Sequence, residues 1–209
     1  MALSKIDMSK MVTGTLPVGS GGTGLTSGTT DQFLKFTGTT TLASAADNAG
    51  KVLQVQYDNK ASTESTSNKA SAGSYADVLS VNITPTASSS TIAITAMINT
   101  GADDLGDGAC ILRCLRDSTQ IAGGTASGSR ISTTSGRGNE NQGANSNLMQ
   151  TIVWMDSPNT TSQVTYKIQF ACRGSAGSLS AHIGRTGTDA NNNETQRTSS
   201  HLRLEEIAG

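Results

Sequence analysis

The glycine spacing near the N-terminus fits two nucleotide-binding patterns. Gly19, Gly21 and Gly24 fit the dinucleotide fingerprint G-x-G-x-x-G, and residues 19–26 fit a phosphate-binding loop at every position but one. At that position Leu25 replaces the lysine that must reach the phosphates. Neither an apolar strand before the glycines nor an apolar helix after them is visible in the sequence. Since such loops bind phosphate at the junction of a strand and a helix, we predict no nucleotide site and no cofactor.

The histidines and loop carboxylates do not form a catalytic or metal-binding pattern. His182 and His201 have no second ligand at metal spacing, so we expect each to be solvent-facing or hydrogen-bonded. Asp189 and Glu194 fall among turn residues, where carboxylates are usually solvated. No serine occupies a strand-to-helix elbow, and no opposed carboxylates mark the cleft of a glycan hydrolase. We therefore predict that the protein is not an enzyme; a cleft between subunits is the alternative.

One acidic run suggests calcium. Asp103, Asp104 and Asp107 resemble the start of a calcium-binding loop, but Leu105 occupies a ligand position and Cys114 replaces the bidentate glutamate. A solvated hairpin turn explains the same residues, because Asp and Gly are typical of such turns. We predict no metal site, although an irregular calcium site completed by another chain stays open.

Composition and charge exclude several classes of protein. The chain has 209 residues, of which 34% are hydrophobic and 15% charged, and its net charge is −1. A net charge this close to zero provides no excess of positive charge that would attract nucleic acid or an anionic membrane. The longest apolar stretch, around residues 92–98, is too short for membrane insertion, and the N-terminus lacks the apolar core of a signal peptide, so we expect synthesis in the cytoplasm. So few large apolar residues predict a thin core and burial between identical subunits.

The three cysteines allow two interpretations. Cys110 and Cys114, if they lie on one strand, are about 13 Å apart, which is too far for a disulfide. Buried thiols that pack as small hydrophobic groups are the favoured interpretation. A bridge from Cys172 to either of the others stays open.

Alternation of apolar and polar residues from Lys51 onward predicts at least eight short strands. The clearest strand is 164–172, in which Ile168 shares an apolar face with Tyr166 and Phe170, whereas Lys167 faces the other way. Residues 109–115 and 149–155 are apolar on both faces, which predicts strands covered on both sides and places Trp154 in the core. Other predicted strands lie at 53–57, 79–83, 92–98, 179–183 and 201–207. The sequence predicts an all-β protein, an antiparallel β-sandwich of the jelly-roll kind.

Residues 1–45 differ from the rest of the chain. Gly, Ser and Thr supply 22 of these 45 residues, which predicts an extended arm with one short strand at Gln32 to Phe36. We therefore divide the chain into an N-terminal arm, residues 1–45, and a sandwich domain, residues 46–209. Within the sandwich, the polar segment 121–147 is either a mobile surface loop or a recognition loop. Its receptor-facing candidates are Arg130, Arg137, Asn139, Glu140, Asn141 and Gln142.

Four segments resemble the fibre proteins of tailed bacteriophages. Residues 11–25, MVTGTLPVGSGGTGL, resemble their TGTLPVxxGGTG attachment segment, and residues 155–169, MDSPNTTSQVTYKIQ, resemble their DSPxTTSxVTYKVQ hairpin. Residues 112–117, LRCLRD, are similar to an LxRDG strand and turn, although Ser118 stands where glycine is usual. Residues 201–207, HLRLEEI, are similar to a C-terminal LTLMEI strand and depart from it at Glu205.

The resemblance implies a homotrimeric virion protein that is assembled in the host cytoplasm. It implies a tail fibre whose arm binds other virion proteins and whose sandwich contacts a host-surface glycan or an outer-membrane protein. The docking residues would be Leu16, Pro17, Val18, Gly22, Thr23 and Leu25. A head-fibre or decoration protein that stabilises the capsid or tail is the alternative, and a glycan-degrading tailspike is a third.

Overall fold

The computed structural model describes residues 29–30, 32–39, 41–45, 50–103, 109–136, 144–173 and 179–209. These residues form β-strands and one 3₁₀ turn, Ala70–Ala72, with no α-helix among them. The chain divides into two compact units, Met1–Ala49 and Gly50–Gly209. The strands are β1 (Phe33–Phe36), β2 (Leu42–Ala45), β3 (Val52–Lys60), β4 (Glu64–Thr66), β5 (Ala76–Ile83), β6 (Thr91–Ala102), β7 (Cys110–Arg116), β8 (Thr119–Ile121), β9 (Ser135–Gly136), β10 (Leu148–Asp156), β11 (Val164–Cys172), β12 (Ala181–Ile183) and β13 (Ser200–Ile207).

The first unit contains an antiparallel hairpin. Strand β1 pairs with β2, so that Phe33 lies opposite Ala45 and Phe36 opposite Leu42. The Thr37 N–H donates to the Thr41 carbonyl oxygen at 2.9 Å and closes the turn. Strand β1 falls where the sequence predicts a short strand.

Eight strands of the second unit form antiparallel pairs that nest one inside the next. In chain order they are β3, β5, β6, β7, β8, β10, β11 and β13. The first pairs with the last (β3 with β13), the second with the seventh (β5 with β11), the third with the sixth (β6 with β10) and the fourth with the fifth (β7 with β8). This ribbon of pairs wraps into a larger sheet, in the order β3-β13-β6-β10, and a smaller one, in the order β5-β11-β7-β8. Strands β12 and β4 extend the larger sheet, and β9 pairs with β7. Such nesting is that of a jelly roll, so the predicted all-β, jelly-roll-like sandwich is confirmed, whereas the homotrimer and the extended arm stay predictions.

The core lies between the inner faces of the two sheets. In β11, Tyr166, Ile168 and Phe170 are fully buried, whereas Lys167 is only half-buried. In β6 the buried residues are Ile92, Ile94, Ala96 and Ile98, at every second position. Because successive strand residues point to opposite faces, this alternation places one face of each strand in the core. The predicted faces of both strands are confirmed.

Strand β7 is covered on both sides, as its sequence predicts. Its inner face packs into the main core through Cys110, Leu112 and Cys114. Ile111, on the other face, packs with Ala70, Ala171 and Tyr75 in a second cluster. The three cysteines are buried and form no disulfide, and Cys172 lies opposite Cys110 across β11 and β7.

Glu206 of β13 forms hydrogen bonds with the connection between β5 and β6. This fully buried side chain accepts hydrogen bonds at Oε1 from the N–H and the hydroxyl of Thr86, both at 2.7 Å. Its Oε2 accepts from Gln54 Nε2 at 2.6 Å, and the same amide nitrogen lies 2.7 Å from the Thr84 carbonyl oxygen. The carboxylate therefore joins the final strand to the first strand of the sandwich and to the β5–β6 connection.

Candidate interaction surface

Strand β10 exposes apolar side chains on the outer face of the larger sheet, the face turned away from the core. Gln150 and Ile152 point inward and are buried. Met149, Val153 and Met155 point outward and are 57%, 73% and 55% exposed. The register places Thr151 opposite Met97 of β6, which is 40% exposed on the same outer face. Trp154 shares the strand face of Gln150 and Ile152 but is 46% exposed at the edge of the sheet. We name Met97, Met149, Val153, Trp154 and Met155 the β10 edge.

One prediction about this strand is corrected and one stays open. Within the described residues one face of 149–155 is exposed, so the predicted cover on that face stays a prediction about a neighbouring subunit, and Trp154 is 46% exposed and is not a core residue. The reason is the position of β10 at the edge of its sheet, where it pairs with β6 alone among the described strands. Apolar residues on both faces of a strand predict that both faces are buried. They do not reveal whether the residues that bury each face belong to the same chain.

The opposite edge of the larger sheet is also apolar. Strand β3 pairs with β13 alone among the described strands. Four of its side chains are between 36% and 64% exposed: Val52, Leu53, Val55 and Tyr57. We name these four residues the β3 edge. Edge strands usually carry charged side chains that prevent association. On these two strands the charged residues, Asp58, Lys60 and Asp156, lie towards the C-terminal ends, and the exposed apolar side chains form a candidate interaction surface.

A polar row separates the two edges on the outer face. Arg203 of β13 forms an ion pair with Glu205, the residue at which the C-terminal motif departs from the fibre pattern. On the same strand, His201 Nδ1 lies 2.7 Å from Asn59 Oδ1, so this histidine is hydrogen-bonded as expected. Both charged side chains remain partly exposed to water.

The two motif segments in the middle of the chain meet in the structure. Arg116 Nη1 lies 2.9 Å from Asp156 Oδ2, and the Tyr166 hydroxyl donates to the same oxygen at 2.6 Å. Burial and the neighbouring carboxylate raise the pKa of Tyr166, which keeps its hydroxyl protonated as a donor. Asp117 Oδ1 accepts from the Thr165 N–H at 2.9 Å, and Asp117 has the left-handed φ of 53°. The turn therefore places its left-handed residue before Ser118, and a serine is accommodated where the fibre pattern has glycine.

A buried histidine joins three elements at the end of the larger sheet. His182 of β12 is 2% exposed, its Nε2 lies 2.6 Å from Asp103 Oδ1, and its Nδ1 lies 2.9 Å from Ser65 Oγ of β4. Burial lowers the pKa of His182, and the Asp103 hydrogen bond offsets this only in part. Burial raises the pKa of Asp103, but hydrogen bonds from His182 and the Ser180 N–H outweigh it and lower that pKa overall. Asp103 is therefore a structural partner of His182, and the rest of the predicted turn, residues 104–108, lies outside the described residues.

The Ser65–His182–Asp103 order resembles a nucleophile, base and acid, but its surroundings indicate a structural role. Arg185 Nη2 also donates to Ser65 Oγ at 3.1 Å, which ties the same serine to the segment that follows β12. The nearby polar cavity is lined instead by residues of the 189–197 loop. There Arg197 forms an ion pair with Asp189 at 2.6 Å, so this carboxylate is paired. Sequence reasoning could not find the His182–Asp103 contact because the two residues are 79 positions apart.

Most of the predicted site residues lie outside the described residues. These are the docking residues Leu16, Pro17, Val18, Gly22, Thr23 and Leu25 and the receptor-facing candidates Arg137, Asn139, Glu140, Asn141 and Gln142. Arg130 is described: its side chain is exposed, and its Nη1 lies 3.3 Å from the Ser127 carbonyl oxygen. The predicted calcium-loop residues Asp104 and Asp107 also lie outside the described residues.

Among the described residues, no group of three or more His, Cys, Asp or Glu side chains could hold a metal ion. The same part of the chain contains no helix of the length and hydrophobicity needed to cross a membrane.

Comparisons with known proteins give only distant structural similarity. No protein-family model and no curated protein matches the sequence. A structure of the infectious bursal disease virus Gt strain is similar with a TM-score of 0.40 and 11% identity, over 85% of this chain and 43% of that one. The VP2 subviral particle of the same virus is similar with a TM-score of 0.40 and 10% identity, over 83% and 46%. The chain thus spans less than half the length of these proteins, and similarity at this level does not assign a function.

Proposed function

We propose that this chain is a virion structural protein, a homotrimeric tail fibre that docks by its N-terminal arm and contacts the host surface by its sandwich. The observation that carries the proposal is the pair of exposed apolar edges on the larger sheet, at β10 and β3. Exposed apolar areas of this kind mark surfaces that other protein chains cover. They support an assembly component.

The fibre assignment is supported by the motif segments that resemble fibre proteins. The LRCLRD and MDSPNTTSQVTYKIQ segments are joined by the hydrogen bonds of Arg116, Asp156 and Tyr166, so the resemblance includes residues that make one tertiary unit. A head-fibre or decoration protein is the alternative within the same class. Imaging of the assembled particle distinguishes the two by the position of the chain on the tail or the head.

The proposed docking site is the Leu16-Pro17-Val18 block with Gly22, Thr23 and Leu25. Pro17 fixes its own φ and has no amide donor, which makes the block a short, stiff apolar segment. Ordering the neighbouring glycines costs about 1–2 kcal/mol per residue, so the arm needs contacts from its partner to become ordered.

Assembly onto particles that lack the native protein tests the docking role. A chain shortened to residues 47–209 should stay soluble, β-rich and oligomeric but fail to join such particles. The full-length Leu16→Ser/Val18→Ser variant should fail in the same way, whereas Thr26→Ala should assemble. A shortened chain that still assembles would assign docking to the sandwich, and one that precipitates would make the arm part of the folded trimer.

In this proposal, host recognition uses the 121–147 segment, from which Arg130 projects into solvent. Binding to host envelopes is expected to weaken in the Arg130→Ala variant and to remain in Lys167→Ala, whose substitution lies on a strand of the smaller sheet. The role needs no catalysis, so incubation with host envelopes should release no sugar. Sugar release would favour the tailspike alternative.

A further inference from the structure

The two apolar edges of the larger sheet cannot cover each other within one chain. In the order β3-β13-β6-β10 they are separated by three strand spacings, or about 14 Å. Neither edge can therefore serve as the cover of the other. The charged residues of these two strands, Asp58, Lys60 and Asp156, lie towards the C-terminal ends of the strands.

We propose that the β10 edge of one copy packs on the β3 edge of the next copy, so that each subunit uses two different surfaces and three contacts close a ring. This inference rests on the homotrimer of the proposed function and names the surfaces that form it. The occupant of each edge is a second copy of this chain. Contacts between unlike surfaces generate rings when the rotation closes, whereas contacts between like surfaces generate dimers.

The exposed apolar area of the two edges supports a second copy of this chain as the partner that covers them. The nine side chains of the two edges are 36–73% exposed and together present on the order of 800 Å² to solvent. A stable interface buries about 1,200 Å² or more in total, and neighbouring side chains and backbone would supply the remainder. A dimer in which two β10 edges meet would leave both β3 edges uncovered. A ring in which each β10 edge meets a β3 edge covers both edges of every subunit.

The polar row between the edges favours the same arrangement. Arg203 and Glu205 form an ion pair that is partly exposed to water. Stacking the whole outer face of one sheet on another would remove water from this pair, which costs free energy. A contact limited to the edges covers less of the outer face, although Tyr57 and Val55 of the β3 edge lie directly opposite Arg203 and Glu205.

Cross-linking of paired cysteines tests the contact. Val153 and Tyr57 are 73% and 64% exposed, so Val153→Cys and Tyr57→Cys should preserve the fold, and the natural cysteines are buried. With a bismaleimide that spans about 10 Å, or two strand spacings, the double variant should give covalent trimers on a denaturing gel. Each single variant should remain a single chain. Val153→Cys/Lys167→Cys, which moves the second thiol to the smaller sheet, is the matched control and should give no trimer.

Each other outcome contradicts the inference. A covalent dimer from either single variant would show contact between like edges. A double variant that is trimeric by light scattering but does not cross-link would place the subunit interface elsewhere. A wild-type protein that is monomeric by light scattering would remove the homotrimer itself, and this measurement separates the failure of the proposed trimer from failure of the edge contact.

Discussion

Glu206 shows how much one residue can contribute to the sandwich. The carboxylate is fully buried and accepts hydrogen bonds from Thr86 and Gln54. Burial alone would raise its pKa, but these hydrogen bonds outweigh it and lower the pKa from 4.5 to about 2. Because the folded state binds this proton less readily than the unfolded chain, Glu206 stabilises the fold fully above pH 4.5. That contribution is lost as the pH falls from 4.5 towards 2.

Glu206→Gln should therefore lower stability in a pH-dependent way. At pH 7 we expect a loss of about 2 kcal/mol, because charge-assisted hydrogen bonds are replaced by weaker ones. The difference between variant and wild type should shrink as the pH falls below 4.5. Denaturant unfolding at pH 7 and at pH 3 measures both values, with Glu205→Gln on the outer face as control. A difference that is the same at both pH values would contradict this role.

At the scale of single elements, β11 decides whether the two sheets pack. Its inner face supplies Tyr166, Ile168 and Phe170 to the core, and it pairs with both β5 and β7. Strand β10 has a similar apolar content but lies at a sheet edge, so much of its apolar surface stays exposed. Equal hydrophobicity thus has different consequences in a central strand and in an edge strand.

Adjacent residues of β11 should respond oppositely to the same substitution. Ile168→Asp places a carboxylate in the apolar core at a cost of several kcal/mol, so this variant should not fold. Lys167→Asp changes a half-buried side chain on the other face and should be tolerated. Soluble expression and melting temperature, measured side by side, test the pair. Equal values for the two variants would show that the strand phase is wrong.

At the scale of the whole molecule, the second unit combines a jelly-roll core with exposed apolar side chains at two edges of its larger sheet. The fold closes its own core between the inner faces of the two sheets. The edges at β10 and β3 are the parts of the larger sheet that an assembly would cover.

We expect the purified protein to be a homotrimer. Light scattering coupled to size exclusion should give a mass of about three times 21.4 kDa. Val153→Glu should shift the mass towards one chain, because it places a charge in the proposed contact. Lys167→Glu should leave the trimer intact. A monomeric wild-type protein at micromolar concentration would contradict the expectation.

The sequence by itself determined the strand class, the phase of the core strands and the jelly-roll kind of sandwich. Alternation at Ile92, Ile94 and Ile98 reports burial directly, because a strand has a side-chain period of two. The hydrophobic pattern also identified β7 as a strand covered on both faces. These properties depend on neighbours in the sequence.

Only the tertiary structure decided which apolar faces stay exposed and which polar residues meet. Trp154 is exposed because β10 lies at the edge of its sheet. The position of a strand within a sheet cannot be predicted from the pattern of residues in that strand. The contact of His182 with Asp103 joins residues 79 positions apart. Such contacts follow from strand order and register, and those are set by the packing of the whole chain and not by the residues of any one segment.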